Sequence, residues 1–506
     1  MKLPLSSLNA GWKSSFSIVP YIPLNQHNNY TMNTSKLGPV WFLLVLARVG
    51  FGQDQLTQKL DSLMNSYVEQ RFFSGAVLLA KGDNILYQKG VGLADREKNV
   101  PVQPTTTFSI ASVGKIFTAT LMMQLVNEGK VDLQKTVHSY LPEWNVPNGD
   151  RIRVHHLLTH TGYTGNYMVH PSYDQIRSGA RSIDDIMPLV VARVSVRDTV
   201  GREFRYSNSG YILLGKIAEK VTGQSYETLL QERIFNPAGM TNTHMQPRGF
   251  VAPAEATPYE LFTNTSFISV KAGNDPAFPD GGAMTNVSDL WRFSRWFLKT
   301  VPAQTRQTMW TPFVQPKKNS YYGYGFVITE EHGRKQVSHD GGIGGWSADF
   351  RMVPDDEYVA IVLINQHLNP KEVTRKMLDI AYTGKTVMPT REFVRSVIDE
   401  IDRKGFSDVR GRFREILNAG YHYKPGPGDY IDLFNGLNEL KRHEQALELA
   451  RIAETAFPNQ AWVYECIGDA YYGLKKQDEA KVAFEQALKV DPDNFWAKMM
   501  LQKMGK

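Results

Sequence analysis

The chain has 506 residues and only one cysteine, Cys466. One thiol can form neither an internal disulfide nor a cysteine-rich metal site, so cysteine usage assigns the protein to no redox compartment. Charge of one sign is also missing in blocks. The 57 basic and 51 acidic residues leave a net +6 that no segment concentrates, so nucleic acid is not an expected partner. No apolar run reaches the ~20 residues that cross a bilayer as a helix, so no transmembrane helix is expected in the mature chain. Gly-x-Ser-x-Gly, His-Glu-x-x-His and Gly-x-Gly-x-x-Gly are absent, which removes the nucleophile elbow, the zinc protease helix and the dinucleotide loop. Gly210 to Lys216 begins like a phosphate loop, but Ile217 stands where a metal-binding hydroxyl belongs and the segment reads as a buried helix. No cofactor and no metal are expected. What remains is ordinary globular composition, 42% hydrophobic and 21% charged, at a length that suits two or three domains.

Near the front, Met32 to Lys36 leads into the apolar run Val40 to Ala47 and then Gly50-Phe51-Gly52-Gln53. A basic residue, a short apolar stretch and small residues three and one positions before Gln53 read as a secretory signal peptide over 32–52. A buried strand is the alternative. If Met32 opens the leader, residues 1–31 are an untranslated or disordered extension. Export to the periplasm or the medium is then expected.

From Asp54 to Gln70, Leu56, Leu60, Leu63, Met64 and Val68 recur at helical spacing. Ala76 to Ala80 and Ile85 to Tyr87 flank Lys81-Gly82-Asp83-Asn84, a hairpin signal. Ile110 to Glu128 predicts a long helix that stops at Gly129, a residue suited to a left-handed C-cap. Strands return at Tyr324 to Ile328, Phe350 to Val353 and Tyr358 to Ile364. Strands at both ends of a mostly helical stretch give an α+β, mixed α/β domain whose sheet is completed from both ends, over 53–386. Helical patterns over 387–424 read as a linker, and Pro425 to Gly428 marks a boundary.

Beyond that boundary the chain repeats. Leu440, Ala446, Ala453 and Pro458 recur as Leu474, Ala480, Ala487 and Pro492, a shift of 34 residues (492 − 458 = 34). This helix-turn-helix period resembles the tetratricopeptide repeat and implies an all-α repeat domain over 425–506 that can dock a protein partner.

Three short motifs carry chemistry: Ser112-Val113-Gly114-Lys115, Tyr206-Ser207-Asn208 and His339-Asp340-Gly341. Residues three apart on a helix share a face, so Lys115 reaches the Ser112 hydroxyl. A serine is a weak nucleophile until a base takes its proton, and a lysine among apolar neighbours such as Ile116, Phe117 and Leu121 suits that task. Taken alone, the pair also fits an N-capping serine with a surface lysine. Ser-x-x-Lys and Tyr-x-Asn each occur once, whereas His-x-Gly occurs twice, at His339 and at His160-Thr161-Gly162.

In this order the motifs resemble those of the serine β-lactamase and penicillin-binding-protein superfamily, in its branch of class C β-lactamases, D,D-peptidases and related esterases. Phe73 to Val77, Gly92 to Asp95, His156 to Gly162 and Ser207 to Tyr211 add to the likeness, which spans roughly Asp54 to Thr386. The resemblance implies a β-lactamase/transpeptidase-like sheet with a helical subdomain. It implies Ser112 as nucleophile, with Lys115 and Tyr206 sharing proton transfer and Asn208 bonding substrate and lysine. His339 and Gly341 would line the cleft as substrate-binding residues, and the amides of Ser112 and Gly342 would form the oxyanion hole. His160 falls in the family's structural Leu-Leu-Thr-His-Thr segment, which leaves His339 as the site histidine. Two departures alter the expectation. His339 replaces the lysine that heads the third motif in β-lactamases of this branch, and Gly342 replaces the usual hydroxyl residue. A neutral histidine offers no permanent cation to a substrate carboxylate. The expected activity is therefore a serine hydrolase acting on a small-molecule or peptide substrate, as an esterase, amidase or peptidase before an efficient β-lactamase. The alternative is a sensor or scaffold of the penicillin-binding type that acylates without turnover and docks a partner through its repeats.

Overall fold

The computed structural model describes residues 54–68, 73–177, 179–192, 200–245, 255–261, 267–269, 277–366, 368–386, 393–418, 427–492 and 494–505. The upstream extension and the leader expected over 1–52 lie outside the described residues.

Eight strands form the main sheet: β1 (Gly75–Lys81), β2 (Asn84–Val91), β3 (Val314–Lys317), β4 (Ser320–Tyr322), β5 (Val327–Glu331), β6 (Arg334–Ile343), β7 (Trp346–Val353) and β8 (Tyr358–Ile364). All pairings are antiparallel, in the spatial order β2-β1-β8-β7-β6-β5-β4-β3. The sheet is thus completed from both ends, as the strand distribution predicts. The strand expected at Tyr324 to Ile328 begins at Val327, because Tyr324 and Gly325 turn instead, Gly325 at φ 76.

β1 and β8 read as continuous apolar runs because both of their faces are covered. Leu78, Ile361 and Leu363 face the main core, while Val77, Leu79, Val362 and Ile364 face a second one. The helices that do the covering are α1 (54–68), α2 (Lys115–Asn127), α3 (Asn208–Thr222), α4 (Val287–Thr300) and α5 (Pro370–Thr383). Leu60, Leu63 and Met64 of α1 pack with Val373 and Met377 of α5 over the outer face. On the inner face, Lys115 through Met123 of α2 are all buried. A helix buried on every side is surrounded on every side, which makes α2 the central helix of the domain. It stops as predicted, with Gly129 left-handed at φ 71.

Seven further helices follow: α6 (Phe393–Lys404), α7 (Phe406–Asn418), α8 (Pro427–Glu439), α9 (His443–Ala456), α10 (Ala461–Gly473), α11 (Gln477–Val490) and α12 (Phe495–Met504). The small residues of the 34-residue period, Ala446, Ala453, Ala480 and Ala487, are all fully buried at helix crossings. The stretch read as a linker departs from that expectation. Phe393, Val397 and Ile398 of α6 and Val409 and Phe413 of α7 are fully buried in one cluster with Tyr430, Leu433 and Leu449. A repeat helix pair cannot bury its outer face alone, and α6 and α7 cap it. A shift of 34 back from Ala446 lands on Arg412 (446 − 34 = 412), so the capping pair lacks the small-residue signature. Among the described residues no helix is long and apolar enough to cross a membrane.

Candidate active site

Ser112 lies in a 3-10 turn, Ala111–Gly114, that runs directly into α2. No side chain caps either helix start, so Ser112 is not an N-cap. The residue before it, Ala111, has φ 43, a left-handed backbone that costs a residue with a Cβ about 1–3 kcal/mol and persists only where its surroundings enforce it. Here the Gly282 amide donates to the Ala111 carbonyl at 3.1 Å and the Ile110 amide to the Ala283 carbonyl at 3.0 Å. Two glycines let neighbouring backbone come this close. A Cβ on Gly281, itself at φ 151, would sit 2.3 Å from the Ala111 carbonyl oxygen. One on Gly341 of β6 would sit 2.3 Å from the Ile110 oxygen and 2.8 Å from the Ser112 amide nitrogen. The serine therefore stands on a strained turn at the positive end of α2, with space kept in front of its amide.

Lys115 is fully buried, not a surface lysine. Its Nζ lies 3.2 Å from Ser112 Oγ, 2.8 Å from Asn208 Oδ1 and 2.6 Å from the Asp280 carbonyl oxygen. The last two partners can only accept. These two fixed acceptors hold the amine in place, with the serine hydroxyl as its third contact. Asn208 opens α3 behind the N-cap Ser207, whose hydroxyl accepts from the Gly210 amide at 3.0 Å. Its amide Nδ2 donates to Met168 Sδ at 3.3 Å, which fixes Oδ1 towards the lysine.

Asp280 was not singled out by sequence reasoning. Its carbonyl holds Lys115, and its carboxylate accepts from the Tyr167 hydroxyl at 3.3 and 3.2 Å. Burial raises this carboxyl to about 6, against the lowering pull of the nearby Lys115 charge. The turn Pro279-Asp280-Gly281-Gly282 was the only available signal, and nothing local ties it to a site 165 residues away.

Tyr206 is 43% exposed and lines a cleft of about 640 Å³ together with Ser112, His339, Gly341 and Gly342. The Lys115 Nζ lies 4.9 Å from the centre of the Tyr206 ring. The structure thus brings all seven sequence-predicted site residues to one place. Both ring nitrogens of His339, however, are engaged within the protein. It is 3% exposed, its Nε2 meets the Tyr322 hydroxyl at 2.9 Å and its Nδ1 meets the Asp340 carbonyl oxygen at 2.6 Å. Burial pushes its ring down to about 4, with Asp340 opposing, so it is neutral at neutral pH. Asp340, unassigned by sequence, pairs with Lys371 at 2.9 Å.

The family description "Beta-lactamase" matches residues 56–384 and "Tetratricopeptide repeat" matches 461–494. The chain is similar to "Protein flp" of Staphylococcus aureus (strain NCTC 8325 / PS 47), at 27% identity over 63% of this chain and 67% of that protein. It is also similar to "Penicillin-binding protein 4*" of Bacillus subtilis (strain 168), at 28% identity over 61% of this chain and 71% of that protein. Among solved structures, the penicillin binding protein from Bacillus halodurans superposes with a TM-score of 0.57 at 25% identity, covering 64% of this chain and 99% of that one.

Proposed function

Because the chain belongs to the β-lactamase family, we propose that it is an exported serine hydrolase that cleaves a small ester, amide or peptide bond through an acyl-enzyme at Ser112. The observation that carries this reading is the contact between the fully buried Lys115 Nζ and Ser112 Oγ at 3.2 Å. Lys115 takes the hydroxyl proton as Oγ bonds to the substrate carbonyl carbon. The amides of Ser112 and Gly342 stabilise the oxyanion, and the proton passes by way of the Tyr206 hydroxyl to the departing alcohol or amine as its bond to the carbonyl breaks. Water then attacks the ester carbonyl, returning Ser112 and releasing the acid. Export rests on the leader pattern over 32–52.

The neutral, inward-facing His339 supports ester, amide or peptide substrates over penicillins, since the third motif supplies no cation for a penicillin carboxylate. The test is turnover of a chromogenic ester beside a chromogenic cephalosporin, with fluorophosphonate labelling. Ser112 should be the labelled residue, Ser112→Ala should abolish labelling and turnover, and ester should be preferred. Labelling elsewhere overturns the nucleophile, and labelling of Ser112 without turnover favours the sensor reading.

A further inference from the structure

Behind the cleft, four hydrogen bonds join the second motif to the third. The Ser207 amide donates to His160 Nδ1 at 3.1 Å, and His160 Nε2 meets the Tyr322 hydroxyl at 3.1 Å. That hydroxyl meets His339 Nε2 at 2.9 Å, and His339 Nδ1 meets the Asp340 carbonyl oxygen at 2.6 Å. The direction of the chain follows from its ends. A backbone amide can only donate, so His160 Nδ1 accepts and the proton of that ring sits on Nε2, donating to Tyr322. A backbone carbonyl can only accept, so His339 Nδ1 carries a proton and Nε2 accepts the Tyr322 O–H. Both ends demand the same orientation, and the chain closes with two neutral histidines and one tyrosine.

We propose that His160, Tyr322 and His339 are positioning residues that form a brace across the cleft, setting the distance between Tyr206 and the oxyanion strand of β6. The brace starts at Ser207, next to Tyr206, and ends at Asp340, next to Gly341. Its near end is anchored, since Ser207 caps α3 and accepts from the Gly210 amide. Its far end orients the peptide that leads into Gly341 and Gly342. The His160 ring also backs the Tyr206 ring at 4.3 Å between centres. His160 and Tyr322 are 1% and 2% exposed, so water cannot take over a lost bond cheaply. The titratable and charged groups facing the brace are Lys115, Tyr206, Tyr211, Asp340 and Lys371. Both Lys115 and Lys371 oppose a charge on His339, and Asp340 alone favours one.

This inference rests on the hydrolase reading for its kinetic part only. Tyr322→Phe keeps the ring and removes the hydroxyl, leaving a donor and an acceptor facing each other unpaired. Acylation of Ser112 by a fluorophosphonate and kcat on a chromogenic ester are expected to fall at least about ten-fold, with KM for the ester changed by less. Nitrogen-15 spectra of the unaltered protein at pH 7 should show a proton on Nε2 of His160 and on Nδ1 of His339. In Tyr322→Phe the Nε2 signal of His339 should move towards that of an imidazole nitrogen without a partner. Tautomers opposite to these overturn the brace whether or not the variant folds, and so does a folded Tyr322→Phe protein whose kcat stays within about two-fold of the original. Failure of Ser112 to label in the unaltered protein would instead remove the hydrolase reading, and the spectra would still decide the brace.

Discussion

The hydrolase domain and the helical repeats bury different things. Around Ser112 the interior holds a lysine, two histidines and a carboxylic acid, Lys115, His160, His339 and Asp280, each at most 4% exposed. Among the described residues of α6 to α12 the most deeply buried are apolar or small, with Cys466 the nearest to a reactive group, and burial raises its thiol well above the usual range. A raised thiol is inert. Catalysis needs polar groups fixed where water cannot compete for them, and each must be partnered or it destabilises the fold. Stacking needs only surfaces that fit. The contrast assigns chemistry to one region and contact to the other.

The largest expected effect is at Lys115. Lys115→Met keeps the packing volume within α2 and removes the amine, so kcat on a chromogenic ester should fall by about 10²–10⁴-fold, the range for a lost general base. A rate near that of the original protein would mean that the buried amine is structural, which would erase the distinction between the two interiors.

Acid should act on the two regions with opposite signs. Burial holds His156 and His339 at about 4 and lowers His155 and His160 also. Each binds a proton more weakly folded than unfolded, so the stability it contributes is present above about 6.5 and is lost as pH falls, through about 4 for His156 and His339. Asp280 and Asp349, raised by burial, oppose this within the same domain but are outnumbered. In the repeats, burial raises Asp469 to about 6, against the lowering Trp496 N–H. Its protonated form favours the fold, so stability there grows as pH falls from about 6. Hydrogen exchange read by mass spectrometry between pH 6.5 and 4 should show protection falling around α2 and α3 but not in α10. Parallel loss in both regions would contradict the assignment.

The smallest expected effect is from removing the repeats. Every residue named in the active site precedes Lys385, and α6 to α12 close a core of their own. A chain ending at Lys385 should turn over a small ester within about two-fold of the full chain, distant sites being nearly additive. A larger loss in a truncated protein that is still folded would tie the repeats to the cleft.

How much of this was legible depended on the range over which each signal acts. The β1–β2 hairpin and β8 follow from local apolar runs, and β8 occupies the residues its pattern marks. Ser112 and Lys115 announce each other because they are three apart on one turn. Tyr322 and Tyr167 carry no signal and Asp280 only that of a turn, since each acquires its role from partners more than ten residues away. His160 was read as structural from its segment, but its link to Tyr322 spans 162 residues and no local pattern encodes it. The helices over 393–418 were visible as helices, yet their membership in the repeat core depends on what they cover.

The pairing of β1 with β8 also has a consequence in time. Gly75 lies opposite Ile364 and Lys81 opposite Tyr358, so the neighbour of β1 on its inner side is made 283 residues after it begins (358 − 75 = 283). At synthesis rates of about 5–20 residues per second, one edge of an apolar strand stays open for roughly 14–57 s. The hydrolase domain therefore reaches its native sheet only when the ribosome has nearly finished it, and the chain stays pliable throughout that interval. The repeats, whose helices pack on the pair just made, need no such wait. A chain built in this order has a long unfolded window at its front and locally packed helices behind.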